Sequence, residues 1–292
     1  MKSELSSLRP LAALDRRTFV TTALVSGFAA ATLPVQATAI STDSVGLEAG
    51  ETKIKVRDGE LPAYAAKPVG GKNLPIVIVI QEIFGVHEHI RDVCRRFAKL
   101  GAYAIAPELF ARQGNPATVA DMQSLMRDIV SKVPDAQVMA DLDETVAFAR
   151  ANGGRGKVAI TGFCWGGRIT WLYSAHSKEV AAGVAWYGRL VGQGNELQPK
   201  NPVDLVATLQ APVLGQYGGR DGGIPVESVE TMRAALAKDG SAAAKKSEII
   251  IYPESQHGFF ADYRPSYRPE DAVPAFARAC DWMRKNGVAL KT

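Results

Sequence analysis

The chain has 292 residues, 47% of them hydrophobic and 22% charged, with three cysteines and a formal net charge of +4. That composition excludes a globally disordered chain and a disulfide-rich scaffold, and it permits a full core without metal or disulfide staples. The basic excess is small and contains no run of five like charges, so nothing marks a nucleic-acid-binding face.

Residues 1–39 read as an export address. Arg16 and Arg17 stand just before Thr18-Phe19-Val20 and an apolar run, rich in Ala, Thr and Val, that continues to Val35. Ala37-Thr38-Ala39 then supplies a small-x-small exit. These are the parts of a twin-arginine export signal, with cleavage expected after Ala39. As a membrane span the apolar stretch falls short of the ~20 residues required. The segment carries Lys2, Arg9, Arg16 and Arg17 against Glu4 and Asp15, so removing it leaves a chain of net charge +2. The mature protein is expected in the periplasm or outside the cell, free of the membrane.

From residue 50 strand and helix patterns alternate. Residues 52–56 and 63–67 form an expected antiparallel pair around an Asp58-Gly59 turn. Residues 75–80, Pro-Ile-Val-Ile-Val-Ile, are the continuous β-branched run of a strand buried on both faces. Residues 90–100 place Ile90, Val93, Phe97 and Leu100 at helical spacing, closed by Gly101. Further strands are expected at 103–106, 158–161, 183–186, 212–217 and 248–252. Further helices are expected at 136–152, 169–177, 226–238 and 271–286, and looser loops at 110–115 and 192–204. This alternation predicts one α/β domain over residues 40–292, with a mostly parallel sheet of about eight strands covered by helices on both faces.

Three positions at expected strand ends carry chemistry. Gly162-Phe163-Cys164-Trp165-Gly166 follows the strand at 158–161 and precedes a helix, which is the nucleophile-elbow pattern with cysteine in the serine's place. The following helix N-terminus favours a negatively charged sulfur. Asp221 lies in the glycine-rich loop after the strand at 212–217, and His257 in the loop after 248–252. In a parallel sheet these loops share one edge, in the order nucleophile, acid, histidine. Taken singly, they read as a buried cysteine, a turn aspartate and a surface histidine; together they read as a catalytic triad. Gln81-Glu82-Ile83-Phe84-Gly85 ends the strand at 75–80, where the backbone N–H of Ile83, with that of Trp165, is placed to hold an oxyanion.

These motifs, with Pro107-Glu108-Leu109-Phe110-Ala111-Arg112 and the His257-Gly258-Phe259 corner, resemble the dienelactone hydrolase family, a cysteine branch of the α/β-hydrolases, over residues 50–287. The resemblance implies the α/β-hydrolase fold and a Cys164–His257–Asp221 triad acting on lactones and esters without metal or cofactor. It also implies a gating role for Glu82, which interacts with the resting thiol and is displaced by substrate so that the thiolate forms; read from the residues alone, Glu82 is either a carboxylate within reach of Cys164 or one member of a structural ion pair with a nearby arginine. Founding members hold a substrate carboxylate with arginines, one of them four residues after the histidine. That place is Ala261 here, and the first arginine beyond it is Arg264. The segment replacing the other arginine's helix, 121–130, offers Arg127. Arg264 and Arg127 are therefore the candidate substrate-binding residues, and whether the substrate is anionic stays open. The expected partner is a small ester or lactone, bound by a monomer. A thioesterase or general carboxylesterase would use the same machinery, and a catalytically silent binding protein would keep only the fold.

His87 and His89 form an H-x-H pair, but two ligands do not make a zinc site, and they read as polar residues at a helix entry. Cys94 and Cys280 read as packing residues, with a bridge left open by an oxidising destination. Trp165, Trp186 and Tyr187 fall either to pocket or to core.

Overall fold

The structure is a computed structural model that describes residues 40–292. The expected export segment and its cleavage site lie outside the described residues. The described residues form eight strands: β1 (Leu47–Val56), β2 (Gly59–Pro68), β3 (Leu74–Ile80), β4 (Tyr103–Pro107), β5 (Gly154–Phe163), β6 (Val180–Trp186), β7 (Val213–Gly218) and β8 (Glu248–Tyr252). They make one sheet in the order β1-β2-β4-β3-β5-β6-β7-β8. The β1–β2 and β2–β4 pairs are antiparallel, and every pair from β4–β3 to β7–β8 is parallel.

Among the described residues six α-helices accompany the sheet: α1 (Glu88–Lys99), α2 (Met122–Asp128), α3 (Asp135–Ala151), α4 (Trp165–His176), α5 (Val226–Asp239) and α6 (Pro269–Lys285). The β3 run shows how the sheet is covered. Its odd residues Val77 and Val79 pack with Val93 and Phe97 of α1 and with Ala279 and Met283 of α6. Its even residues Ile76, Ile78 and Ile80 pack with Leu142 of α3 and Ile169 of α4. Helix α5 joins that second face through Val229 and Met232, beside Trp171 of α4. Each buried branched side chain contributes about 1.5–3 kcal/mol. A one-residue slip of β3 would exchange its two faces, so packing on both sides fixes its register.

Several boundaries differ from expectation: β1 starts at Leu47 rather than 52, β2 at Gly59 rather than 63, and β5 at Gly154 rather than 158. Helix α4 begins at Trp165 rather than near residue 169, because Gly166 and Gly167 belong to its first turn instead of ending a loop. The loop at 192–204 runs into a short 3-10 helix, Pro202–Thr208, where the Asn201 N–H donates to Asp204 Oδ2 at 2.8 Å. Cys94 and Cys280 are free and buried in the core. Among the described residues no helix is long and apolar enough to cross a membrane.

Candidate active site

Cys164 sits between β5 and α4 with φ 55° and ψ −112°, a backbone conformation that side chains other than glycine rarely adopt. Its N–H donates to the Trp186 carbonyl of β6 at 3.0 Å. The flanking glycines are required by close approach. A Cβ on Gly162 would stand 2.2 Å from the Gly166 carbonyl oxygen, and one on Gly166 would stand 2.5 Å from that of Gln81. Only bare backbone lets β5, α4 and the end of β3 converge beneath the sulfur.

The structure brings the other two expected residues to this point. Asp221 Oδ2 lies 2.7 Å from His257 Nδ1, and its Oδ1 accepts the N–H groups of Gly223 at 2.8 Å and Ile224 at 3.1 Å. The carboxylate is thus buried, aligned by backbone, and aimed at one ring nitrogen. The ring also interacts with Cys164. Burial pulls the His257 pKa down, but the Cys164 sulfur and Asp221 outweigh it and raise the pKa to about 10. The edge of Tyr187 packs against the ring at 5.1 Å.

Cys164 and His257 open into a cavity of about 260 Å³, also lined by Ile83, Trp165 and Tyr187. Trp165 opens α4, so its N–H has no intrahelical acceptor. The Ile83 N–H is given to none of the described backbone acceptors. Both residues line the cavity into which Cys164 opens. Tyr187 is a cavity residue with a fully buried hydroxyl, whereas Trp186 belongs to the core and donates to Thr161 Oγ1 at 2.9 Å.

Glu82 is fully buried, and its surroundings are those of an ion pair with an arginine rather than of a partner to the thiol. The Tyr263 hydroxyl donates to Oε2, the Arg264 guanidinium lies 3.2 Å from Oε1, and His87 Nε2 lies 3.7 Å from Oε2. Among the described residues no hydrogen bond joins Glu82 to Cys164. Burial alone would raise the Glu82 pKa, but Arg264, followed by His87, holds it well below the usual carboxylate range. A carboxylate facing a cation and a phenol has no need of the thiol proton. The segment that supplies Tyr263 and Arg264 is tied to α1 through Asp262, which takes Arg96 at 2.6 Å and His89 Nδ1 at 3.0 Å; Arg96 also bonds Asp92 at 2.6 Å.

His87 and His89 stand at the entry of α1 as expected, but both are drawn into this network instead of facing solvent. Among the described residues no group of three or more His, Cys, Asp or Glu side chains is placed to hold a metal ion. Arg264 reaches the site but its charge faces Glu82, and it stacks over Phe84 at 5.1 Å. Arg127 is a correction. It lies exposed on α2, paired at 2.6 Å with its neighbour Asp128, while the next residue back, Met126, lines the cavity. A helical step of one residue turns the side chain by about 100°, which carries Arg127 away from the cavity. The sequence reading missed Tyr263 and Arg189, the latter also a cavity residue. Neither belongs to a motif, although Tyr263 sits next to Arg264 in the segment already singled out.

Residues 61–287 match the dienelactone hydrolase family. The chain belongs to that family. A relative from Methylorubrum extorquens, provisionally named carboxymethylenebutenolidase, is 56% identical over 290 residues, covering 98% of each chain. A Bradyrhizobium protein provisionally named a 2-oxo-3-(5-oxofuran-2-ylidene)propanoate lactonase is 30% identical, covering 76% of this chain and 88% of its own. A crystal structure from Klebsiella pneumoniae, provisionally named dienelactone hydrolase, superposes with a TM-score of 0.78 at 53% identity, covering 82% of this chain and 99% of that one. The eight-stranded, mostly parallel sheet is accordingly the α/β-hydrolase fold, and the chain is a dienelactone hydrolase-like hydrolase.

Proposed function

We propose that the protein cleaves a small lactone or carboxylic ester through Cys164, His257 and Asp221. The reading rests above all on the placement of an elbow cysteine and an Asp221-bound histidine in one cavity. The Cys164 sulfur attacks the acyl carbon as the ester carbonyl oxygen moves toward the N–H groups of Ile83 and Trp165. Each such donor is worth about 3–4 kcal/mol of barrier. His257 takes the thiol proton and returns it to the departing alkoxide, while Asp221 holds the ring's other nitrogen and stabilises the imidazolium. In a lactone the alkoxide stays tethered to the acyl-enzyme. Water activated by His257 then attacks the thioester, releasing the acid and the free thiol.

Glu82 adds a second level. In the arrangement described it is held by Arg264 and Tyr263, which leaves His257 to manage the thiol proton. A swing of Glu82 toward the sulfur would suppress the thiolate by like-charge repulsion or by sharing its proton, so Arg264 and Tyr263 hold the active arrangement. The names of the relatives extend the reading to a carboxymethylenebutenolidase-like lactonase. The domain spans residues 40–292, acts as a monomer, and follows twin-arginine export to the periplasm or beyond; replacing Arg16 and Arg17 with lysine should abolish that export.

The decisive measurement is hydrolysis of lactones, acyl esters and thioesters, read as kcat/KM, in the wild type and in Cys164→Ala. We expect loss of at least ~10³-fold on the preferred substrate in the variant. Undiminished turnover would refute the nucleophile, and a preference for thioesters would move the assignment to a thioesterase.

A further inference from the structure

The N–H of Ile83 can serve an oxyanion only if the short segment that carries it is held still, and that segment belongs to no strand or helix. It folds back on itself through a bridge between Glu82 and Gly85, with Ile83 and Phe84 between them, and Gly85 takes a left-handed φ of 78°. We infer that Glu108 is the positioning residue of this turn: its carboxyl group fixes the turn against the end of β4 and so sets the Ile83 N–H for the developing oxyanion.

The contacts form a reciprocal pair. Gln81, just before the turn, accepts the Leu109 N–H on its Oε1 at 3.1 Å, and Val86, just after it, donates its N–H to Glu108 Oε2 at 2.7 Å. The turn is thus pinned at both ends to residues 108 and 109. Those residues are anchored in their own right. They follow directly on β4, which pairs with β3 in the sheet, and the Glu108 N–H donates to the Pro62 carbonyl of β2 at 2.8 Å. The fit is close. A Cβ on Gly85 would stand 2.9 Å from Glu108 Oε2 and 3.2 Å from Oε1, so the carboxyl group lies against bare backbone where the turn closes.

Packing alone does not explain an acid here. Burial pushes the Glu108 pKa up, and the Val86 N–H, with weaker help from other neighbours, only partly offsets it. An apolar side chain would avoid that cost but would take this acceptor away from Val86. The turn also stands between two openings. Ile83 lines the cavity of Cys164, while Phe84, Val86 and Glu108 line a second cavity of about 510 Å³ that shares none of the first one's residues. With open space on both sides, directional hydrogen bonds are what can hold the backbone in one place.

The inference rests on the proposed hydrolase, in which Ile83 is an oxyanion donor. Glu108→Leu removes the acceptor at similar size, and Glu108→Gln keeps an oxygen in its place. With 4-nitrophenyl butyrate, kcat is expected to fall about 10–100-fold in Glu108→Leu with KM within about threefold, and to stay within about threefold of wild type in Glu108→Gln. Two readouts separate positioning from general damage. Iodoacetamide alkylation of Cys164 builds no oxyanion, so its rate should stay within about threefold in both variants. The ratio of kcat/KM for the ester to that for its thionoester, whose C=S sulfur is a poor hydrogen-bond acceptor, should fall about tenfold in Glu108→Leu. Gly85→Ala drives a methyl group into the same carboxyl group and should reproduce both losses, which keeps the test open if Glu108→Leu does not fold. In the folded variant, an unchanged kcat, a parallel loss of alkylation, or an unchanged ester-to-thionoester ratio overturns the inference. Ester turnover that survives in Cys164→Ala removes the cysteine reading alone, because the ester-to-thionoester ratio reports on the Ile83 turn whichever group attacks.

Discussion

Asp221 and Glu82 are both buried carboxylates at the C-terminal edge of the sheet, one on each side of the region around Cys164. Asp221 is satisfied by two backbone N–H groups and one imidazole. Glu82 accepts a hydrogen bond from a tyrosine hydroxyl and is ion-paired with an arginine, with a histidine nearby. Backbone donors are rigid and carry no net charge, so the negative charge of Asp221 remains available to stabilise an imidazolium. Arg264 largely cancels the charge of Glu82, and side-chain partners can rearrange. The first arrangement suits a fixed part of the proposed catalytic machinery and the second a movable one.

The largest effect that sharpens this contrast is expected at Asp221. Asp221→Asn keeps the shape but favours the wrong ring tautomer, and kcat should fall about 10³–10⁴-fold with the folded structure retained. A loss under tenfold would place Asp221 outside the catalytic unit. Next comes Arg264→Met, which strands a buried carboxylate and should cost about 3–5 kcal/mol of stability by urea denaturation. The double variant Glu82→Gln/Arg264→Met should regain most of it. If the double variant is no more stable than the single one, the two groups are not coupled.

The pH dependence follows from His257. Its pKa rises from 6.5 to about 10 on folding, so the folded state holds the proton more tightly. That contribution is fully present below pH 6.5 and is lost as pH rises toward 10. Melting temperature should therefore decline across that window, and Cys164→Ala should flatten the decline by removing the sulfur that favours the imidazolium. A wild-type melting temperature constant over the window would contradict the coupling. The smallest effect is expected for Tyr263→Phe, about 1.5–3 kcal/mol in stability from the lost hydrogen bonds to Glu82 and Arg264. It should also increase the mobility of Glu82, visible as a change in the pH profile of Cys164 alkylation.

Much of the fold was legible because its signals are local. The β-branched run at 75–80 and the stripe of Ile90, Val93 and Phe97 each declare their period within a dozen residues. Cys164, Asp221 and His257 were legible because each follows a strand whose end can be counted, and a parallel sheet gathers strand ends. The partners of Glu82 were not legible, since they depend on Asp262 docking onto Arg96 and His89 of α1 across more than 160 residues of sequence. Arg127 shows the opposite failure: the segment was well chosen, but a helix turns its side chain by about 100° per residue, and the neighbouring Met126 faces the cavity instead. Arg189 carried no pattern at all.

The backbone at Cys164 carries a consequence for evolution. Its left-handed φ of 55° costs on the order of 1–3 kcal/mol for any residue with a side chain. Glycine relieves that strain while losing roughly 0.5–1 kcal/mol in chain entropy. A descendant that abandoned the chemistry would thus hold a stabilising substitution within reach at the one position chemistry forbids. In this fold, drift toward stability and retention of the sulfur pull in opposite directions.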